Sequence, residues 1–265
     1  MDGITVTRHA VTGSDAAVVA EIMLDRPPVN AISTGLALSL TELCGELAAE
    51  PSVRAVVVSG APGSRAFCAG ADLKERAAMS DAEIGAQRPV IRGVFGAVLG
   101  LPQPVVAAVH GFALGGGCEL ALSCDLIVAD ETAVFGLTEV TVGLVPGGGG
   151  TQLLLRRLGA GRAADLVLTG RHVAIDEAWR LGLVDRRVGG GTVREAALEL
   201  ARLVAGNSPV AVKAAKRAIR NGWGAGLAAA MDIEDAAWRT AAMSADRREG
   251  IAAFAEKRPP AWPGE

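Results

Sequence analysis

Two carboxylates near a glycine-rich turn are the residues of this chain best suited to chemistry. Glu119 lies in Gly115-Gly116-Gly117-Cys118-Glu119-Leu120, and Glu139 follows in Phe135-Gly136-Leu137-Thr138-Glu139. Glycines let backbone amides come close to a ligand. If a helix starts at that turn, its unpaired N–H groups and its dipole favour an anion. A carboxylate in the first turn then sits beside the ligand, and a second carboxylate supplies the other half of an acid/base pair.

Elements of two kinds must position these groups. Val53 to Ser59, Val105 to Val109 and Asp125 to Ala129 are β-branched or apolar runs that read as buried strands, and Ala17 to Leu24 and Thr132 to Phe135 are further strand candidates. Between them Gly35 to Glu50, Gly115 to Ser123 and Thr151 to Leu158 read as helices, so the architecture is α/β. Asp72 to Gln87 is polar and alanine-rich and reads as a mobile flap. Strands stop near Thr192. Val193 to Ala205, Pro209 to Arg220, Leu227 to Met243 and Asp246 to Glu256 all read as helices, with Asn207 and Ser208 as caps before Pro209. The expected organisation is a core over 1–192 that carries the active site and a helical region over 193–265.

Composition narrows the function. The chain has 265 residues, a formal net charge of −3 and no basic block, which argues against a nucleic-acid partner. The longest apolar stretch, Val105 to Leu122, is interrupted by His110, Glu119 and glycines, so no membrane span is expected. The N-terminus lacks the pattern of a secretory signal, and a cytoplasmic location is the expectation. Cys44, Cys68, Cys118 and Cys124 form no CxxC pair and read as small buried groups, with no metal site. Gly147 to Gly150 is not followed by GK[ST], so it is not a P-loop, and no GxGxxG follows a strand.

The ordered motifs resemble the crotonase (enoyl-CoA hydratase/isomerase) superfamily, and within it the enoyl-CoA hydratases. The resemblance runs from Leu24-Asp25-Arg26-Pro27 through Ala66-Phe67-Cys68-Ala69-Gly70-Ala71-Asp72-Leu73-Lys74 to Gly111-Phe112-Ala113-Leu114-Gly115-Gly116-Gly117-Cys118-Glu119-Leu120. It continues over Phe135 to Glu139, Gly143 to Gln152, Leu168 to Gly170 and Asp246 to Lys257. It implies a spiral of ββα units followed by a C-terminal helical trimerisation region, with homotrimers or dimers of trimers. It implies an acyl-CoA thioester as substrate, no separate cofactor, and a hydro-lyase acting in fatty-acid or related acyl-CoA degradation.

Carried over position by position, the resemblance makes Ala71 and Gly116 the two backbone donors of an oxyanion hole. Glu119 activates water at C3, Glu139 exchanges a proton with C2, and the Gly147 amide helps hold the water. Arg26, Ala69, Ala71, Asp72, Leu73 and Lys74 match the coenzyme A groove, and Phe254 and Lys257 match tail residues that reach the adenine, often of a neighbouring subunit. The family often has proline before the second glutamate; Thr138 stands there, a departure that bears on the local backbone and with which an extended threonine is compatible. An enoyl-CoA isomerase or other acyl-CoA lyase, or a non-catalytic acyl-CoA-binding protein, is the alternative that retention of both glutamates argues against. Taken alone, a glutamate on a helix is usually a solvated surface group. His9 and His172 read as surface groups, His110 as a satisfied structural histidine and Cys118 as packing.

Overall fold

The computed structural model describes residues 3–13 and 16–265. Its strands are β1 Ile4–Ala10, β2 Val18–Leu24, β3 Val53–Gly60, β4 Ala66–Cys68, β5 Val105–Val109, β6 Phe112–Leu114, β7 Leu126–Asp130, β8 Val134–Gly136, β9 Val173–Ala174 and β10 Arg186–Val188. Its helices are α1 Thr34–Ala49, α2 Leu73–Ala77, α3 Asp81–Gly100, α4 Gly116–Ser123, α5 Gly150–Leu158, α6 Ala160–Thr169, α7 Ile175–Leu181, α8 Val193–Ala205, α9 Pro209–Gly222, α10 Leu227–Ala242 and α11 Ala245–Glu256. A 3₁₀ turn spans Glu139–Val142.

The strands form two sheets, ordered β1-β2-β3-β5-β7-β10 and β4-β6-β8-β9. Each turn of the chain gives one strand to the large sheet and the next, short strand to the small one, and then enters a helix: β3-β4-α2, β5-β6-α4, and β7-β8 into the 3₁₀ turn. This is the expected ββα spiral. Pairing is parallel between β3 and β5, β5 and β7, β4 and β6, and β6 and β8. Parallel strands covered on both faces read as continuous apolar runs. In β3, Val56 and Val58 enter the core between the sheets, while Ala55 and Val57 enter a second core under α8.

Helix α8 belongs to that second core through Ala197, Leu198 and Ala201. It is also held electrostatically. Arg194 Nε and Nη2 donate to the buried Glu21 carboxylate at 2.6 and 2.7 Å, Ser59 Oγ donates to it at 2.9 Å, and His9 Nε2 lies 2.8 Å away. Burial opposes ionisation of Glu21, but Arg194, His9 and Ser59 together hold its carboxyl below the usual range. Helix α9 is clamped likewise: Lys216 Nζ lies 2.7 Å from Asp125 Oδ2 and Arg220 Nη2 2.7 Å from Oδ1. As the spacing predicts, Pro209 opens α9 and Ser208 caps it.

Two stretches depart from the sequence reading. Asp72 to Gln87, read as a flap, is helical, forming α2 and the start of α3. Asp72 caps α2 by accepting from Lys74 N and Glu75 N, and Ser80 with Glu83 forms a capping box for α3. The polar composition belongs to caps and to a largely exposed helix face. Thr138 is not extended but lies at φ −89°, ψ 3°, where its carbonyl accepts from Thr141 and closes the turn that carries Glu139. Helix α10 buries only Ala237 and packs chiefly on α9.

Candidate active site

Three glycines place the catalytic candidates. Leu114 pairs with Gly136, and Gly115 N donates to Gly136 O at 2.8 Å, so the start of α4 is joined to the segment leading to Glu139. Gly115 holds φ +51°, and a Cβ there would lie 3.2 Å from Glu139 Oε1. The second carboxylate therefore lies against the glycine turn that starts the helix bearing the first. Gly117 lies flat on β4, where a Cβ would fall 1.8 Å from Cys68 O. Gly70, with φ +92°, brings its backbone against Gly116: a Cβ on Gly70 would be 3.2 Å from Gly116 N.

These contacts bring the two expected oxyanion donors together. The hydrogen bonds around Ala71, Ile32 N to Gly70 O and Asp72 N to Ile32 O, skip the Ala71 amide. Gly116 opens α4, so its N–H has no partner within the helix.

Glu119 is 3 % exposed, and its Oε1 accepts from Gly148 N at 2.6 Å and Gly150 N at 2.8 Å. Burial raises its carboxyl above the ordinary range, against the pull of those amides and of Arg88. Glu139 is half-buried, and its Oε2 has no hydrogen-bond partner among the described residues. Burial, reinforced by the charge of Glu119, pushes Glu139 up to about 7. The pair therefore holds one carboxyl gripped by amides and another poised to carry a proton near neutrality. Such separation of two acids is the condition for opposite roles in proton transfer.

Gly147 donates nothing to Glu119; its carbonyl accepts from Arg88 Nη2 at 2.6 Å. The sequence reading missed Gly148, Gly150 and Arg88. The glycine run was visible, but a run of glycines does not say where its amides point, and Arg88 lay just past the stretch read as a flap.

The expected coenzyme A positions converge in one place. Arg26, Ala69, Ala71, Asp72, Leu73 and Lys74 line a cavity of about 440 Å³ together with Pro27, Pro28, Val29 and Ala31. Arg26 Nη2 pairs with Asp72 Oδ2 at 2.8 Å, so Arg26 braces the groove wall, while Lys74 stands exposed on α2. Phe254 and Lys257 are not brought to this groove within one chain: they lie at the end of α11, with Phe254 87 % exposed and Lys257 left-handed at φ 55°. His110 turns to Ser64 O at 3.2 Å. All four cysteines are free and buried, and burial pushes Cys118 up to about 12, so it is inert packing beside Glu119.

A spiral of ββα units that sets a glycine-rich helix start between two unequal carboxylates defines a crotonase-type fold. Residues 14–265 match the family described as Enoyl-CoA hydratase/isomerase, and the chain belongs to it. It is 42 % identical over 269 residues to the human "Enoyl-CoA hydratase domain-containing protein 2, mitochondrial", covering 99 % of this chain and 91 % of the relative. It is 41 % identical over 241 residues to the mouse "Methylglutaconyl-CoA hydratase, mitochondrial", covering 89 % and 76 %. A crystal structure of enoyl-CoA hydratase from Bacillus anthracis superposes with a TM-score of 0.94 at 42 % identity, covering both chains in full. Among the described residues no helix is long and apolar enough to cross a membrane.

Proposed function

We propose that the chain is an enoyl-CoA hydratase that reversibly adds water to a trans-2-enoyl-CoA to give the 3-hydroxyacyl-CoA. The observation that carries this reading is the unequal pair: Glu119 held by two amides, and Glu139 unpartnered at Oε2 and raised to about 7. In the hydration direction Glu119 takes a proton from water as the oxygen attacks C3, and Glu139 delivers a proton to C2. The charge that builds on the thioester oxygen is met by the Ala71 and Gly116 amides. Each such donor is typically worth about 10²–10³ in rate. Gly147 N–H helps hold the water. The reading asks for no cofactor beyond the coenzyme A of the substrate. Loss of enoyl absorbance when crotonyl-CoA is added tests it directly; binding without turnover would support an acyl-CoA-binding protein instead.

The coenzyme A moiety lies in the Arg26–Lys74 groove, and Phe254 and Lys257 meet its adenine end from a neighbouring subunit. The apolar side chains left outside on α9 to α11, among them Trp223, Leu227, Met231 and Phe254, support such an assembly, since an isolated chain rarely exposes so large an apolar surface. Sedimentation should show a trimer or a dimer of trimers, and a stable monomer at micromolar concentration would contradict this. Lys257→Ala should raise KM for coenzyme A thioesters more than it lowers kcat, because a phosphate contact remote from the reacting carbons is the same in ground and transition states. A pantetheine thioester lacking the nucleotide should be nearly indifferent to the change. Equal losses on both substrates would assign Lys257 to subunit packing.

A further inference from the structure

Some arginines of this chain are matched to carboxylates, as Arg26 is with Asp72, Arg194 with Glu21 and Arg220 with Asp125. Arg88 is exposed, pairs with no carboxylate among the described residues, and lies at the candidate site itself. It projects from α3 seven residues before Phe95, on the same side of the helix. The Phe95 ring is wedged against the site backbone, since a Cβ on Gly148 would lie 2.4 Å from it and one on Gly116 3.5 Å. The Arg88 guanidinium lies over Gly147, where a Cβ would meet Nη1 and Nη2 both at 3.0 Å. One nitrogen donates to Gly147 O. Among the described residues the rest of the fork has no acceptor, and no carboxylate lies within ion-pair distance. An arginine fork matches a carboxylate in shape and charge, and the two-pronged contact is among the stronger hydrogen-bonded pairs.

We propose that Arg88 is a receptor for a carboxylate on the acyl group, so that the preferred substrate is a short enoyl thioester ending in an acid. This rests on the hydratase reading above and names the substrate class of that site. The positive charge of Arg88 reaches the site, where it opposes the upward push of burial on the Glu119 carboxyl. The coenzyme A phosphates do not account for that charge, since Arg88 and Gly147 are not among the residues that line the groove around Lys74.

The test compares crotonyl-CoA with glutaconyl-CoA, an enoyl thioester with a terminal carboxylate, on the wild type and on Arg88→Gln. Glutamine keeps an N–H for Gly147 O but loses the charge and the fork. The wild type should favour the acidic thioester by about tenfold or more in kcat/KM, and the variant should lose that preference, chiefly through KM. Raising salt should erode the wild-type preference and leave the variant's ratio unmoved. A wild type without preference overturns the proposal. So does an equal loss on both thioesters, which would make Arg88 a tether for the Gly147–Gly150 loop alone. Hydration of neither thioester would sink the hydratase reading, and this one with it.

Discussion

Glu119→Gln and Glu139→Gln are each expected to lower kcat for hydration by about 10²–10⁴, with thioester binding nearly intact. Glutamine at 119 can still accept from Gly148 and Gly150, so the loop keeps its shape and only proton uptake is lost. At 139 the replaced oxygen has no protein partner to lose. The double variant should be far from additive, because two groups that pass a proton through one transition state act as a unit. Near-normal turnover by either single variant would remove that residue from the mechanism.

The same pair dictates the pH dependence. In the proposed mechanism hydration starts from ionised Glu119 and protonated Glu139, and dehydration from the reverse. Both directions therefore need the pair to hold one proton, and both should show a bell with the same two apparent constants, which belong to the pair rather than to either residue. The alkaline limb should fall near 7, where the raised Glu139 gives up its proton. A rate that keeps rising through pH 9 would be incompatible with this assignment. Stability carries the matching sign. A carboxyl raised in the folded state favours folding while it stays protonated, and that contribution is lost as pH rises through about 7. Glu139→Gln, which never ionises, should therefore melt above the wild type at alkaline pH, with the gap closing below the ordinary carboxyl range.

What was legible in the sequence divides by length and by direction. Strands β3, β5 and β7 announce themselves because burial on both faces makes them apolar throughout, and α8 to α11 because amphipathic periodicity and caps accumulate over several turns. The three-residue strands β4, β6 and β8 carry too few residues for a period, yet they seat Gly117, Gly115 and Glu139. Glu119 and Glu139 could be named because the glycine turn and the ordered motifs surround them. Their unequal environments could not, since these arise from Gly148 and Gly150 on a loop about thirty residues beyond Glu119, closed by tertiary contact with Phe95. The Asp72 to Gln87 stretch misled because capping residues and loop residues share a polar composition, and only the geometry of Asp72 and Ser80 tells them apart. Phe254 and Lys257 end α11 outside the groove of their own chain, a placement that their motif alone does not reveal.

The glycine at 117 is expected to tolerate nothing larger. A methyl group there would lie 1.8 Å from Cys68 O and 2.6 Å from its carbonyl carbon, and both are backbone atoms that no rotamer change can withdraw. Gly117→Ala must therefore push α4 away from β4. Those two elements lie next to the proposed oxyanion donors: Gly116 is the residue before the substitution, and Ala71 follows the end of β4 at Cys68 by one short turn. Separating them pulls one N–H off the thioester oxygen, which typically costs about 10²–10³ in kcat. Overpacking of a tight contact adds roughly 1–3 kcal/mol of lost stability, and more where backbone meets backbone. Gly45→Ala is the control. Gly45 lies within α1, with open space around its missing Cβ, so alanine there should stabilise by about 0.5–1 kcal/mol through helix propensity alone and leave turnover unchanged. Melting temperature and crotonyl-CoA hydration measured on both variants separate the two effects. If Gly117→Ala folds and turns over like the wild type, the spacing of α4 and β4 does not set the donor pair, and Ala71 and Gly116 lose their place in the mechanism.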